Sequence, residues 1–526
     1  MKLARNSFFQ FWVTLLTVSS SLTLSIVVAR QLGPDLYGTY AFFIWFLAFG
    51  AMLANLGLNA MSTKFISEFV GAEEPGKIRQ VIRLAMSGRV VAALAVALML
   101  TPMSLLFVGN GDGSNVFLYP ALIAVAMVPF ALFQGLQAIL RGFQRYDYLA
   151  YVLFIVLPAK MFVAVLLLWL GQGIRQLFIL EILVWTAAVA LGFFFMRRAA
   201  HPYRTAPASG KLADRMPPVL RRQLVRYAGI SMTLLLMDFV VNQRAENLVI
   251  AFYHTDAHVG FYNLAFAMTL YPMLLVPGVI GAVLLPAFSE QYGRGDTAKM
   301  VDTYAKASRY LMFLAFPIAV GGIVLARTIV DVLFGEGYSG VVLPAQILFV
   351  GAAAYAVSYS TTSIIFGTNR PKVELKLGLL AVPLIVVLSL ILIPRYGATG
   401  AAMAHISNIV TLPVAIWYVS AKIKAPWPYA DTARALAASL VMGGGVVLLA
   451  RMLPAYYLLP VVIALAAAFY LLLLALFGAL RSEDYEIGGR LLRRAGLARV
   501  STWLAKAGTY RLGPSRGAGR HPADGA

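Results

Sequence analysis

Residues 238–247 read Asp-Phe-Val-Val-Asn-Gln-Arg-Ala-Glu-Asn within an otherwise apolar stretch. On a helix, Asp238, Asn242 and Glu246 recur every fourth residue and lie within about 80° of one another, while Arg244 projects to another face. Two carboxylates and an amide on one narrow stripe can accept hydrogen bonds from a polyol, or hold a proton or a small cation. A charge at bilayer depth costs about 2.5–3.5 kcal/mol on insertion scales, so such a stripe needs a use. It is either the wall of a wet cavity or part of a buried ion-pair network joining helices.

Other polar groups stand within apolar runs. Lys160 and Glu181 lie in separate runs and can pair across helices or serve a lumen. Arg83 and Arg89 lie one and two turns in from the end of theirs; such side chains snorkel to headgroups, yet they can also make a cationic vestibule for an anion. The first run carries hydroxyls from Thr14 to Ser25, among which Ser21 and Ser25 can bond a sugar or let helices approach closely. His405 reads as a packing residue.

Some patterns promise more than they hold. His254, Asp256 and His258 have spacings that fit a divalent cation, and equally a polar loop. Gly71 to Ile78 nearly spells a phosphate-binding loop, but it lacks the Ser or Thr that ligates magnesium and carries Glu73 and Glu74. The chain has no cysteine and no Asp-x-Asp pair, which removes a thiolate metal site, a cysteine nucleophile and the anchor of a metal-dependent sugar-nucleotide transferase. No catalytic residue, resident metal or cofactor is expected.

What must position these groups is a membrane. Of 526 residues 60% are apolar and only 12% charged, with a mean hydropathy of +0.80; soluble domains carry about 25% charged residues. Fourteen apolar segments follow along the chain, too long for strands and without the alternation of an outer-membrane barrel. The expected fold is an all-α polytopic membrane protein. The net charge of +21 divides by loop: with the N-terminus in the cytoplasm, 31 Lys and Arg fall on the inner side and 5 on the outer. That asymmetry places both termini in the cytoplasm, and it removes the need for a nucleic-acid partner. The basic tail can hold anionic membrane lipids, and Leu491 to Leu504 can lie on the membrane surface.

The chain also repeats itself. Gly38-Thr39-Tyr40 returns as Gly260-Phe261-Tyr262, and Ser67-Glu68 with Gly71 returns as Ser289-Glu290 with Gly293, both at an offset of 222; Gly142 and Arg145 match Gly367 and Arg370 at 225. Six spans separate the copies, so two six-helix lobes are related by a pseudo-twofold along the membrane normal, with two extra C-terminal helices. The expected division is a lobe over 1–199, a basic linker over 200–226, a second lobe over 227–424, helices 13 and 14 over 425–480, and a basic tail over 481–526.

Ala29-Arg30-Gln31-Leu32-Gly33-Pro34-Asp35-Leu36-Tyr37-Gly38-Thr39-Tyr40 after a hydroxyl-rich first span, then Asn55-Leu56-Gly57-Leu58, Ser67-Glu68 and Tyr396-Gly397-Ala398-Thr399-Gly400-Ala401-Ala402, resembles the polysaccharide-transporter (Wzx-like) flippase family. That family lies within the multidrug/oligosaccharidyl-lipid/polysaccharide exporter superfamily. The resemblance implies that an undecaprenyl-pyrophosphate-linked glycan is moved across the bacterial inner membrane for O-antigen, capsule or exopolysaccharide export. It further implies handover to a polysaccharide polymerase and chain-length regulator. The superfamily's lipid II flippases place arginines inside spans 1 and 8; here span 1 has only Arg30 at its outer end and span 8 has none. On this reading the pyrophosphate enters through Arg83, Arg89 or Lys160, with Arg244 a further cleft cation. The glycan lies along spans 1 and 7, and Asp238 or Glu246 binds a coupling proton or sodium ion. A cation-coupled multidrug exporter of the same superfamily is the competing expectation, and would need an acidic or aromatic lumen. A membrane glycosyltransferase would need a large outer loop, which the spacing of the spans does not provide.

Overall fold

The computed structural model describes residues 2–105, 117–204, 216–452, 459–481 and 483–485, and among these it contains helices and turns but no strand. Residues 205–215 of the expected linker and the expected surface segment from Leu491 to Leu504 lie outside the described residues.

The first lobe is built from α1 (Lys2–Leu53), α2 (Leu58–Gly71), α3 (Pro75–Leu105), α4 (Leu118–Gly142), α5 (Tyr146–Trp169) and α6 (Ile174–Arg204). The second contains α7 (Pro218–Asn242), α8 (Glu246–Tyr253), α9 (Asp256–Leu275), α10 (Pro277–Gly293), α11 (Thr297–Leu333), α12 (Val342–Gly367), α13 (Pro371–Ile406) and α14 (Thr411–Tyr418). The extra pair is α15 (Tyr429–Met452) and α16 (Leu459–Leu476). Eleven described helical stretches are long and apolar enough to cross a membrane. Two of them double back, at Gly33 and Gly397, and α9 with α10 supplies one crossing more, which makes the fourteen expected. Gly33 shows why one helical run holds two spans. Its φ of 77° and ψ of 172° are open essentially to glycine alone, and Pro34 then starts the returning arm.

The repeat is visible in the helix bounds. α2 ends at Gly71 and α10 at Gly293, while α3 begins at Pro75 and α11 at Thr297, all at the offset of 222. The two lobes also share a defect that the hydropathy pattern does not show: spans expected to be continuous are broken in mid-course. Between α1 and α2 the chain turns through Leu56 and Gly57, both with positive φ; α7 and α8 are separated by Arg244 at φ 59°; α9 and α10 are separated at Val276, next to Pro277. Proline lacks an N–H and clashes with the preceding turn, so the last break is dictated by sequence. Groups freed at the other two find partners. Asn55 Oδ1 accepts from the Asn59 amide at 2.9 Å, and the Gln243 carbonyl accepts from the Trp45 indole of the other lobe at 2.8 Å.

The N-terminus and most basic loops mark one end of the bundle, here the basic end. At the opposite, far end the returning arm of α1 packs on α9, and the two copies of the repeat meet: a Cβ on Gly38 would lie 1.9 Å from the Asp256 carbonyl oxygen, and one on Gly260 would lie 3.1 Å from Gly38 Cα. Thr39 donates to Asp256 Oδ2 at 2.5 Å, Tyr338 donates to the Ala29 carbonyl at 2.5 Å, and Arg30 donates to the Leu333 carbonyl at 2.7 Å and to that of Val332. Toward the basic end α2 packs on α7, with the Phe65 and Tyr227 rings 5.5 Å apart.

Candidate functional site

The break in span 7 reorganises the stripe expected there. α7 stops at Asn242 and the helix resumes at Glu246, so the fourth-residue spacing no longer holds the three side chains on one face. Asp238 and Asn242 stay together, the amide donating to Asp238 Oδ1 at 2.8 Å, and both line a cavity of about 470 Å³ between α7, α12, α13 and α14. Tyr355, Tyr359, Glu374 and Asn408 add to its polar lining together with the hydroxyls of Ser358, Thr361, Thr362 and Thr411, and among the described residues no Lys or Arg lines it. A cavity of about 150 Å³ shares Asn242, Tyr355 and Asn408 with the first and ends at His405.

Glu246 lies beyond that end. It is buried, accepts a hydrogen bond from Tyr262 at 3.1 Å, and its other oxygen meets His405 Nδ1 at 3.0 Å. His405, expected as a packing residue, therefore joins the carboxylate to the polar cavities. Arg244 donates to Asn263 Oδ1 at 2.6 Å and its guanidinium lies 5.1 Å over the Phe266 ring; Asn263 in turn donates to Asn247 at 3.0 Å. The left-handed turn at Arg244 is held by this amide pair.

The first-lobe cations serve packing. Arg89, 1% exposed, donates to Asn55 Oδ1 at 2.9 Å, Asn59 Oδ1 at 2.8 Å and the Ala131 carbonyl at 3.2 Å, which bridges the α1–α2 break to α4. Lys160 pairs with Glu181 at 2.6 Å between α5 and α6, and Glu181 also accepts from the Trp185 indole at 2.8 Å. Arg83 is exposed on the face of α3 that also presents Val90, Val91, Leu94 and Leu98. None of Arg83, Arg89, Lys160 and Arg244 lines either polar cavity. The expected cationic cleft is thus not what these cavities offer: Arg89 and Arg244 are held by amides and Lys160 by a carboxylate, and Arg83 lies on the outer face of α3. Ser25 shares a hydrogen bond with Tyr37 on the returning arm of α1, and Ser21 is half-buried one turn away.

At the far end the His254 and His258 rings stand 4.8 Å apart, but each of His254, Asp256 and His258 is turned to a partner of its own. His254 Nε2 meets the Ile393 carbonyl at 2.6 Å, His258 Nδ1 accepts from the Ala398 amide at 3.4 Å, and Asp256 takes Thr39. Among the described residues no group of three His, Cys, Asp or Glu side chains could hold a metal. Burial holds the Asp256 carboxyl above the usual carboxylate range, against the hydrogen bond from Thr39.

Sequence reasoning missed two features. Tyr355 and Tyr359 stand one turn apart, with Glu374 near the start of the next helix, and this spacing was their signal. Arg309 is fully buried in α11 and bonds both oxygens of Asp484 at 2.7 and 2.9 Å; Tyr310 donates to the same carboxylate at 2.6 Å, while Lys306 meets Glu483 at 3.0 Å and Arg481 meets Asp431 at 2.8 Å. Glu483-Asp484, an acidic pair inside a basic tail, was the clue.

A family model described as "Polysaccharide biosynthesis protein" matches residues 27–343. A relative named as a probable low-salt glycan biosynthesis flippase, Agl15 of Haloferax volcanii, is 22% identical over 460 residues, 84% of this chain and 89% of that one. The lipopolysaccharide biosynthesis protein WzxC of Escherichia coli K12 is 26% identical over 151 residues, 28% of this chain and 30% of that one. Among solved structures, the lipid II flippase MurJ in an inward closed conformation superposes with a TM-score of 0.69 at 15% identity, over 90% of this chain and 98% of that one, which shows a shared fold. With a family match over more than half its length, the chain belongs to the polysaccharide biosynthesis protein family, and its doubled six-helix lobes and broken spans form a fold shared with MurJ.

Proposed function

We propose that this protein is a flippase that moves a polyprenyl-pyrophosphate-linked oligosaccharide from the cytoplasmic to the periplasmic leaflet of a bacterial inner membrane. The basic end, with the N-terminus, faces the cytoplasm. The observation that carries the reading is the joint presence of a polar cavity beside a broken span and a far end closed by the meeting of two equivalent glycines, Gly38 and Gly260. The cavity is walled by second-lobe helices and lies beside a discontinuous one, and rocking of that lobe against the first about the glycine contact would open and close access to it, as alternating access requires. Arg83, at headgroup depth, is the cation this reading assigns to the pyrophosphate, which then need not cross a low-dielectric layer before the glycan is engaged. The Glu246–His405 pair is assigned to a coupling proton in preference to sodium, since an imidazole bonded to a buried carboxylate can exchange a proton. A polymerase and a chain-length regulator would take the product.

The acidic, tyrosine-bearing cavity favours a second reading, export of organic cations. Deleting the gene separates the two. A flippase deletion stops surface polysaccharide and leaves lipid-linked repeat units on the cytoplasmic leaflet, whereas an exporter deletion leaves polysaccharide intact and sensitises cells to cationic drugs.

A further inference from the structure

The cavity between α7, α12 and α13 has a composition that a pyrophosphate cannot use. Asp238 and Glu374 are both in its wall, and neither Lys nor Arg lines it. Asn242 occupies one oxygen of Asp238, while Glu374 Oε1 is a buried acceptor without a hydrogen-bond partner. Tyr355 and Tyr359 stand with ring centroids 5.2 Å apart at 64°, and Asn408 adds an amide shared with the route to His405. Carboxylate and amide side chains are the groups that engage vicinal hydroxyls in pairs. Tyrosine offers a flat apolar face to the C–H side of a pyranose and a hydroxyl at its rim. A volume of about 470 Å³ lies within the range of sites that enclose a small ligand, roughly 300–1,000 Å³.

We propose that this cavity is the glycan subsite and that it selects sugar units without acidic groups, so that uronic, pyruvylated or sulfated sugars are disfavoured there. The proposal rests on the flippase reading and specifies its substrate. The physical basis is repulsion: a ligand carboxylate placed near the exposed Asp238 or the half-buried Glu374 meets a like charge with no cation in the lining to offset it. Division of labour follows. The pyrophosphate is received outside this cavity and the sugars inside it.

The test uses the full-length protein in proteoliposomes with two polyprenyl-pyrophosphate trisaccharides that differ only in a terminal hexose or its uronic acid. Initial flipping rates are compared for the native protein and for Asp238→Asn, Glu374→Gln and the double variant. The native protein is expected to favour the neutral lipid by about tenfold, as one like-charge contact of about 1.4 kcal/mol would give. The double variant is expected to bring the ratio close to one by gaining on the acidic lipid. A ratio between two substrates is insensitive to the amount of folded protein, so poorly expressed variants still decide the matter. Equal native rates, or a ratio unchanged in the double variant, would overturn the glycan subsite while leaving the flippase reading intact. Transport of neither lipid, with tetraphenylphosphonium carried in a manner dependent on Asp238 and Glu374, would overturn both in favour of cation export.

Discussion

The meeting of Gly38 and Gly260 makes a quantitative prediction about the far end. Gly38 has ordinary helical backbone, so adding a side chain costs its own lobe nothing in φ/ψ. Across the interface, however, a Cβ would stand 1.9 Å from the Asp256 carbonyl oxygen and 2.3 Å from its carbon, both backbone atoms that cannot rotate away. Gly38→Val must therefore push α1 off α9. Overpacking of this kind costs about 1–3 kcal/mol. Separation also weakens the Thr39–Asp256 hydrogen bond, one of the class to charged groups worth about 1.5–3 kcal/mol. A combined cost near 3 kcal/mol corresponds to a closed-to-open ratio lowered roughly a hundredfold. Gly260→Ala, whose nearest neighbours lie at 3.1 Å, needs only a few tenths of an ångström of give and should lower the ratio by less than tenfold. The chain has no cysteine, so the native protein is already a clean background for cross-linking. A Cβ on Gly337 would lie 3.6 Å from Pro34 Cγ across the same closure, so the pair Pro34→Cys and Gly337→Cys reports the closed state by disulfide formation under mild oxidant. Its rate should fall steeply with Gly38→Val, modestly with Gly260→Ala, and not at all with Gly71→Ala, where nothing lies within 4 Å. An unchanged rate in Gly38→Val would refute the view that these glycines set the closure.

The other predictions concern buried pairs. Asp484→Ala leaves Arg309 buried and unpaired, which should cost about 3–5 kcal/mol and appear as a lowered Tm in detergent; Arg309→Met together with Asp484→Leu should recover part of it. Lys160→Met strands the buried Glu181 in the same way, with a stability loss and no change in flipping per folded molecule if the pair is structural. Arg89→Met removes the bridge to Asn55 and Asn59 and should destabilise the first lobe, again with flipping per folded molecule retained. Glu246→Gln, in contrast, should abolish the dependence of transport on an imposed proton gradient, which a proteoliposome assay at fixed membrane potential would measure.

The architecture was legible where the signal is summed over many residues. Hydropathy over about twenty residues finds a span, and an offset of 222 maintained from Gly38 to Gly71 finds a repeat, because both survive local noise. The site was less legible because its geometry depends on where helices break. Nothing in the composition of Gln243-Arg244-Ala245 announces that α7 stops there; Arg244 adopts a left-handed conformation because Asn263 and Phe266, from α9, hold its side chain. That single turn separates Glu246 from Asp238 and sends it to His405. Residue types alone likewise left open whether Lys160 pairs with Glu181 or serves a lumen, and whether Arg89 snorkels or lines a cationic vestibule. Their partners, Asn59 and Glu181, sit on other elements, and only the fold shows that these charges are already satisfied.

Flipping itself is the measurement on which the flippase reading stands or falls. The purified protein is reconstituted into liposomes with a fluorescent polyprenyl-pyrophosphate-linked oligosaccharide, and the fraction accessible to a membrane-impermeant modifying enzyme is followed over time. The account predicts protein-dependent exchange between leaflets, slowed in Glu246→Gln and in the cross-linked Pro34→Cys, Gly337→Cys pair, and restored in the latter on reduction. Exchange no faster than in protein-free liposomes, or exchange indifferent to locking the far end, would contradict it.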